Sequence, residues 1–377
     1  MNKTILRVAI LMLIALFSAF SVMAQDDTSD TSTTDASAVP LPASYYLQGF
    51  GFEYQGWNNC GPATITNALT FFGYSNNQTR AANWLKPDSE DKNVSPWQMV
   101  EFVNTQVPEI PVFAMTRSGG TLQLMKSLLV NGFPVIIEEG YDPEPDRLGW
   151  MGHYLLLTGY DDASQTFLTH DSYLGANLNY SYEHIAEFWQ HFNYTYIVLY
   201  DGSREAELLG LLGSDADEYQ NATNSFAIAQ QEAVEDDTDG FAWFNMGTNL
   251  VHLAELQTAS GNGDIAQELY VNAAVAYDQA RNLGLPWRMS WYQFGMFEAY
   301  YNVGRYSDMI ALAQNNLNDG GGQFVEETFY YGGLAREGLG EYSRALSNYN
   351  AAITFNANFL PAVDARDSLQ SQLADGG

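Results

Sequence analysis

GHYLLLTGYDDASQTFLTHDSY, residues 152–173, sets two apolar runs on either side of a short polar break. Tyr154 to Gly159 reads as a buried strand, the DDAS that follows as a turn, and TFLTHDS as the returning strand, so the stretch is an antiparallel β-hairpin. With the turn centred on Asp162, His153 lies directly opposite Asp171, and His170 faces the other way. Directly opposed residues share a face with Cβ atoms roughly 4.5–5.5 Å apart, a spacing that lets a carboxylate hold an imidazole.

An orienting carboxylate and a base imply a nucleophile, and the chain has one cysteine in 377 residues. Cys60 lies in YQGWNNCGPATITNALTFFGY, residues 54–74. Asn58 and Asn59 are suited to capping, Pro62 suits a first helical turn, and Ile65, Ala68, Leu69 and Phe72 recur on one face before Gly73 ends the helix. Cys60 therefore starts a helix, where free N–H groups and the positive dipole end favour a thiolate. Gly61 beside it is expected to leave room for a substrate backbone. A structural cysteine fits better on the apolar face one turn deeper.

The amino terminus makes an unpaired thiol more telling. Lys3 and Arg7 lead an apolar run from Val8 to Phe20 with small residues around Ala24, the pattern of a secretory signal over residues 1–24, or of an anchor if it is not cleaved. Exported cysteines usually pair, and a single one cannot do so within its own chain.

Forty-five Asp plus Glu against 15 Lys plus Arg give a net charge of −30, which argues against nucleic acid or anionic membrane as a partner. The 46% apolar content is that of a globular chain. Residues 25–44 read as a flexible acidic, Ser/Thr-rich leader, 45–200 as a mixed helix-and-strand domain, 201–224 as a polar connector with some helix, and 225–377 as helical. EDDTDG at 235–240 lacks the ligand spacing of an EF-hand and reads as a solvated helix start. In the last segment Phe329, Gly333, Gly340, Tyr342, Ala345, Tyr349 and Ala352 fall at the spacing of the tetratricopeptide repeat, which this stretch resembles. Two looser copies precede it, at AWFNMGTNL with AAVAYDQARNLGLP and at SWYQFGMFEAYYNVGRYSDMIALAQ. Such arrays bind segments of other proteins in their concave face; a helical stalk packed on the first domain is the alternative.

YQGWNNCGPAT, GHYLLLTGYDD and THDSY together resemble the bacteriocin-processing peptidases and their exported relatives, papain-like cysteine peptidases. The resemblance covers residues 45–200 and implies an α+β fold in which a cysteine-bearing helix packs on an antiparallel sheet. It implies Cys60 as nucleophile, His153 as base, Asp171 as its orienting partner and Gln55 as oxyanion donor. Gln55 precedes Cys60 by five residues, one fewer than is usual in papain-like enzymes. The double-glycine leader substrates of transporter-fused members are not carried over. The expected chemistry is thiolate attack on a peptide carbonyl, with no cofactor or metal. The same residues would serve acyl transfer to an amine, and a catalytically silent peptide receptor or scaffold is the alternative of another class. SPWQMVEFVN and TLQLMKSLLVNG read as supporting helices and FPVIIEE as a core strand. Glu138 and Glu139 are expected as surface charges, and the loop GYDPEPDRLGWMG with Trp150 as a wall of the cleft.

Overall fold

Residues 40–142 and 149–375 are described by the computed structural model. The expected signal peptide, the leader up to residue 39 and the centre of the 140–152 loop lie outside the described residues. Seven strands form one antiparallel sheet in the order β2-β7-β3-β4-β5-β6, with β1 added beside β4. They are β1 (Ser44–Tyr46), β2 (Val112–Arg117), β3 (Val135–Tyr141), β4 (Met151–Asp161), β5 (Thr166–Asp171), β6 (Gly175–Ser181) and β7 (Tyr196–Asp201). Helices α1 (Cys60–Thr70), α2 (Gln78–Leu85) and α3 (Pro96–Gln106) share one core with Ile136, Tyr154, Leu156 and Ile197. Helices α4 (Leu122–Val130), α5 (Tyr182–Gln190) and α6 (Glu205–Leu212) share the other with Val135, Ile137, Leu155 and Leu157. Successive side chains of a strand point to opposite faces, so a sheet covered on both faces reads as unbroken apolar sequence, as β3 and β4 do.

α1 starts at Cys60 as expected, and Ile65, Ala68 and Leu69 are fully buried. Gly73, at φ +84°, closes it: Tyr74 N–H reaches back to Leu69 O, the left-handed glycine cap that terminates many helices. Two details differ from expectation. Asn59 occupies the N-cap position, but its side chain makes no capping bond; it is drawn off to Gln78 Oε1 and Lys86 Nζ. Gly61 is buried against Val94, whose Cβ would lie 3.1 Å from an added methyl, so its smallness lets α1 approach Val94 rather than admitting a substrate.

The hairpin corrects the expected register. Asp161 pairs with Thr166, so the turn covers residues 162–165 and is centred between Ala163 and Ser164, not on Asp162. Continued along the strands, that register would set Asp171 opposite Leu156, on the face away from His153. A β-bulge intervenes: Leu157 pairs with Thr169 but Gly159 with Leu168. Thr158 is the extra residue, and its groups are not left bare. Its carbonyl accepts Leu47 N–H at 2.8 Å, and its hydroxyl donates to Leu168 O at 3.2 Å. The bulge returns Asp171 to a position opposite Leu155, two residues along from His153 and on its face. His170 pairs with Leu156 and faces the other side, against Phe50 and Phe52.

The carboxy-terminal half is built of neighbouring helices packed in sequence: α7 (Glu218–Glu235), α8 (Gly240–Ala259), α9 (Gly263–Leu283), α10 (Gly295–Asn302), α11 (Tyr306–Asn318), α12 (Glu326–Gly338), α13 (Tyr342–Phe355) and α14 (Leu360–Asp375). Gly333 of α12 lies flat on the Tyr349 ring, and Gly247 of α8 sits where a methyl would meet the Tyr277 ring at 2.9 Å. Residues 201–224 are mostly helical, with Leu208 and Leu212 entering the sheet core. In the acidic run, Asp239 caps α8 by accepting Phe241 and Ala242 N–H. The helices are bonded to the sheet-bearing half, with which they form one compact unit from Pro42 onward. Asn221 exchanges two hydrogen bonds with the Ser118 main chain, Asn249 pairs amide to amide with Asn193, and Asn356 donates to Leu85 O. Each satisfies a buried polar group that would otherwise be costly.

Candidate active site

His153 near the start of β4 and Asp171 at the end of β5 meet in the structure: His153 Nε2–H donates to Asp171 Oδ1 at 2.9 Å, with both side chains buried. Oδ1 also accepts the N–H groups of Tyr173 (2.8 Å) and Leu174 (3.1 Å), and Oδ2 accepts Tyr180 Oη–H at 2.6 Å. Burial alone would push the Asp171 carboxyl up, but the His153 charge and these donors outweigh it and hold it below the usual carboxylate range. Burial likewise disfavours the His153 cation, yet the Asp171 charge and hydrogen bond, joined by the Cys60 thiol, push the imidazole up to about 10. The ring is stacked on Tyr141 at 4.5 Å between centroids, which fixes its plane.

Cys60 is half-buried at the first residue of α1, and its sulfur is among the groups that favour the His153 cation. Since Nε2 is committed to Asp171, Nδ1 is the ring nitrogen left for the sulfur. As the first helical residue, Cys60 has an N–H outside the helical ladder. Gln55 is tied to the residue after Asp171 twice: its N–H donates to Ser172 O at 2.8 Å, and its Oε1 accepts Ser172 Oγ–H at 2.9 Å. Thr64 Oγ1 of α1 lies 3.4 Å from that hydroxyl and 3.3 Å from Tyr154 O. With its oxygen engaged, the Gln55 amide has its NH₂ free to donate.

All four expected site residues thus lie in one region, where Gln55, His153 and Asp171 are joined by Asp171–Ser172. Glu138 and Glu139 are not surface charges. Both are buried in β3, Glu139 completely, because α5 covers one face of the strand and the carboxy-terminal helices reach the other. Glu139 pairs with His153 across the sheet and lies 3.8 Å from His184 Nε2. Glu138 pairs with Tyr154, and burial lifts its carboxyl well above the usual range. Sequence reasoning missed Tyr180 and Ser172; only Ser172, adjacent to Asp171, carried a local hint. Trp150 is half-buried, donating to His191 Nδ1 and stacked on Phe192. Among the described residues no group of three or more His, Cys, Asp or Glu is arranged to hold a metal ion, and no helix is long and apolar enough to cross a membrane.

No curated protein matches the chain. Among solved structures it is similar to a candidate C39-like peptidase from Bacillus anthracis, at 13% identity and a TM-score of 0.33, over 42% of this chain and 97% of that one. Residues 41–197 match the Peptidase_C39 like family. The chain therefore carries a Peptidase C39-like domain over residues 41–197, followed by an all-helical carboxy-terminal region.

Proposed function

We propose that the protein is an exported cysteine peptidase that cleaves peptide bonds of a peptide or protein substrate. The observation that carries this reading is His153, oriented by a carboxylate whose oxygens are all engaged and raised in part by the nearby Cys60 sulfur. Cys60 Sγ, its proton passed to His153 Nδ1, attacks the carbonyl carbon of the scissile bond. The tetrahedral oxyanion is stabilised by the Cys60 N–H and the Gln55 NH₂; loss of one such donor typically costs about 10²–10³ in turnover. The imidazolium returns its proton to the leaving amine as the C–N bond breaks, giving a thioester. His153 then takes a proton from water, which attacks the thioester and releases acid and thiol. Asp171 fixes the ring tautomer throughout.

Export is supported by the basic lead and apolar run of residues 1–24. A role for the helices in engaging the substrate or a partner is supported by their tetratricopeptide-like spacing and by the matched Gly333–Tyr349 and Gly247–Tyr277 contacts. The test is mass spectrometry of the full chain after exposure to an electrophilic peptide, run beside a peptide-cleavage assay. Labelling of Cys60 only in the folded protein, and loss of cleavage in Cys60→Ala with an unchanged melting temperature, are expected. Cleavage surviving in Cys60→Ala overturns the mechanism.

A further inference from the structure

Gln55 lies between β1 and α1 in a stretch that is neither helix nor strand, so its amide must be aimed by contacts from elsewhere. Gln78, the first residue of α2, holds the main chain on both sides of it. Gln78 Nε2–H donates to Tyr54 O at 2.7 Å, and Gln78 Oε1 accepts Gly56 N–H at 2.7 Å. A carbonyl only accepts and a main-chain N–H only donates, so this amide fits one way round. Its remaining positions are filled as well. Oε1 accepts Asn59 Nδ2–H at 3.1 Å, Nε2–H donates to Glu53 Oε2 at 3.1 Å, and Glu53 Oε1 accepts the Gln78 main-chain N–H at 2.6 Å. Glu53 is in turn tied to α1, where Asn67 exchanges two hydrogen bonds with its main chain.

One side chain thereby spans the short link between Gln55 and Cys60. Gly56 O accepts Asn59 N–H at 3.2 Å in a turn whose third residue, Asn58, has φ +53°, and Gln78 Oε1 bridges the first and last residues of that turn. Cys60 has a hold of its own, because Ala63 N–H donates to Asn59 O at 2.9 Å and begins the helical ladder. Gln55 depends on two neighbours: Ser172 holds it from the end of β5, and Gln78 holds the residues flanking it from α2. We propose that Gln78 is a positioning residue, whose amide fixes the Tyr54–Gly56 main chain and so aims the Gln55 NH₂ at the oxyanion. The inference rests on the peptidase reading for the role of Gln55. A group displaced by about 1 Å from the reacting geometry can cost on the order of 10² in rate.

The test separates oxyanion binding from thiol reactivity in the full-length protein. With a peptide aldehyde the Cys60 sulfur bonds to the carbonyl carbon, the π pair moves onto oxygen and the thiol proton passes to His153, so the new oxyanion needs the Gln55 amide. Iodoacetamide alkylates the same sulfur by displacing iodide and makes no oxyanion. The probes are acetylated tripeptide aldehydes varied at the last residue, the tightest wild-type binder being carried forward. Gln78→Met, which keeps the chain length and loses the hydrogen bonds, is expected to weaken aldehyde binding by about tenfold or more while Cys60 alkylation stays within about twofold of wild type. In a Gln55→Ala background the same substitution is expected to change aldehyde binding by less than about threefold. Gln78→Glu, which as a carboxylate cannot donate to Tyr54 O, is expected to give the same pattern and serves if Gln78→Met does not fold. Aldehyde binding unchanged in these variants overturns the proposal, as does a loss shared equally by alkylation or one that persists in full in Gln55→Ala. Wild type that cuts peptides in the first of these cases keeps the peptidase reading; wild type that binds no aldehyde and cuts no peptide removes that reading and the role of Gln78 together.

Discussion

Asp171 and Glu327 are both carboxyl groups withdrawn from water, and the protein treats them in opposite ways. Asp171 meets four donors and is held below the usual range. Glu327 meets Asn93 on one oxygen and nothing on the other, and burial, reinforced by the Glu326 charge, lifts it well above the usual range. The first arrangement is complete before any ligand arrives, as a group that must orient an imidazole needs to be. The second is incomplete, with one buried oxygen left without a partner. Each half of the contrast can be broken separately.

The largest effect is expected from shifting the end of β5 by one residue beyond the bulge, by inserting one alanine between Thr169 and His170. With Thr169 still paired to Leu157, the inserted residue comes opposite Leu156, His170 comes opposite Leu155 on the His153 face, and Asp171 is carried to the far face. Loss of the carboxylate that holds the tautomer lowers turnover by a factor on the order of 10⁴. The insertion also takes His170 from its contacts with Phe50 and Phe52, so the melting temperature falls as well. A folded, fully active insertion variant, judged by circular dichroism and peptide cleavage, would show that Asp171 does not hold His153.

That same bulge marks where reading the sequence succeeded for an incomplete reason. The hairpin, its partners and the shared face of His153 and Asp171 followed from alternation and turn residues. The turn centre was displaced and the extra residue was unseen, and in parity the two errors cancelled. A local cue existed in Gly159, since a glycine inside a strand often marks a bulge or a close backbone approach. Here a methyl at Gly159 would meet Tyr45 O at 2.6 Å, the main chain of β1. Glu138 and Glu139 carried no such cue. Two acids ending an apolar run look solvated, and only α5 and the carboxy-terminal helices, brought in from as far as residue 298 and beyond, bury them. The α1 helix was legible because its apolar face repeats at 3.6 residues; the role of Gly61 was not, because Val94 is distant in sequence.

Next in size is Asp171→Asn. Breaking a buried pair by neutralising one partner typically costs about 3–5 kcal/mol. The sign follows from both groups. His153 is raised above its ordinary 6.5 to about 10, so its share of stability is complete below 6.5 and is lost as pH rises through about 10. Asp171 is lowered, so its share is present above 3.8 and is lost as pH falls through its folded value. The variant should lack both trends, and its His153 ring should titrate far below 10 when followed by NMR. An imidazole that still titrates near 10 in Asp171→Asn would assign the elevation to another group, with Glu139 across the sheet the first to examine.

The smallest effect, and the one that sharpens the contrast most, is the pH dependence of Glu327→Gln. Glu327 is raised above its ordinary 4.5, so the folded protein keeps a proton that the unfolded chain releases. Its linkage therefore runs opposite to that of Asp171: its share of stability is complete below 4.5 and declines as pH rises toward the folded value, by at most about 1.4 kcal/mol per pH unit for one proton. Glutamine has no such proton to lose. Urea unfolding midpoints at pH 5, 6, 7 and 8 should therefore fall less steeply in Glu327→Gln than in wild type, while the two converge near pH 4. The groups facing Glu327 set how large the change is: Asn93 favours its charged form, and the neighbouring carboxyls Glu326 and Asp91 oppose it. Parallel slopes in the two proteins would mean that Glu327 is already ionised in the folded state, and that the two buried carboxyls are treated alike in charge.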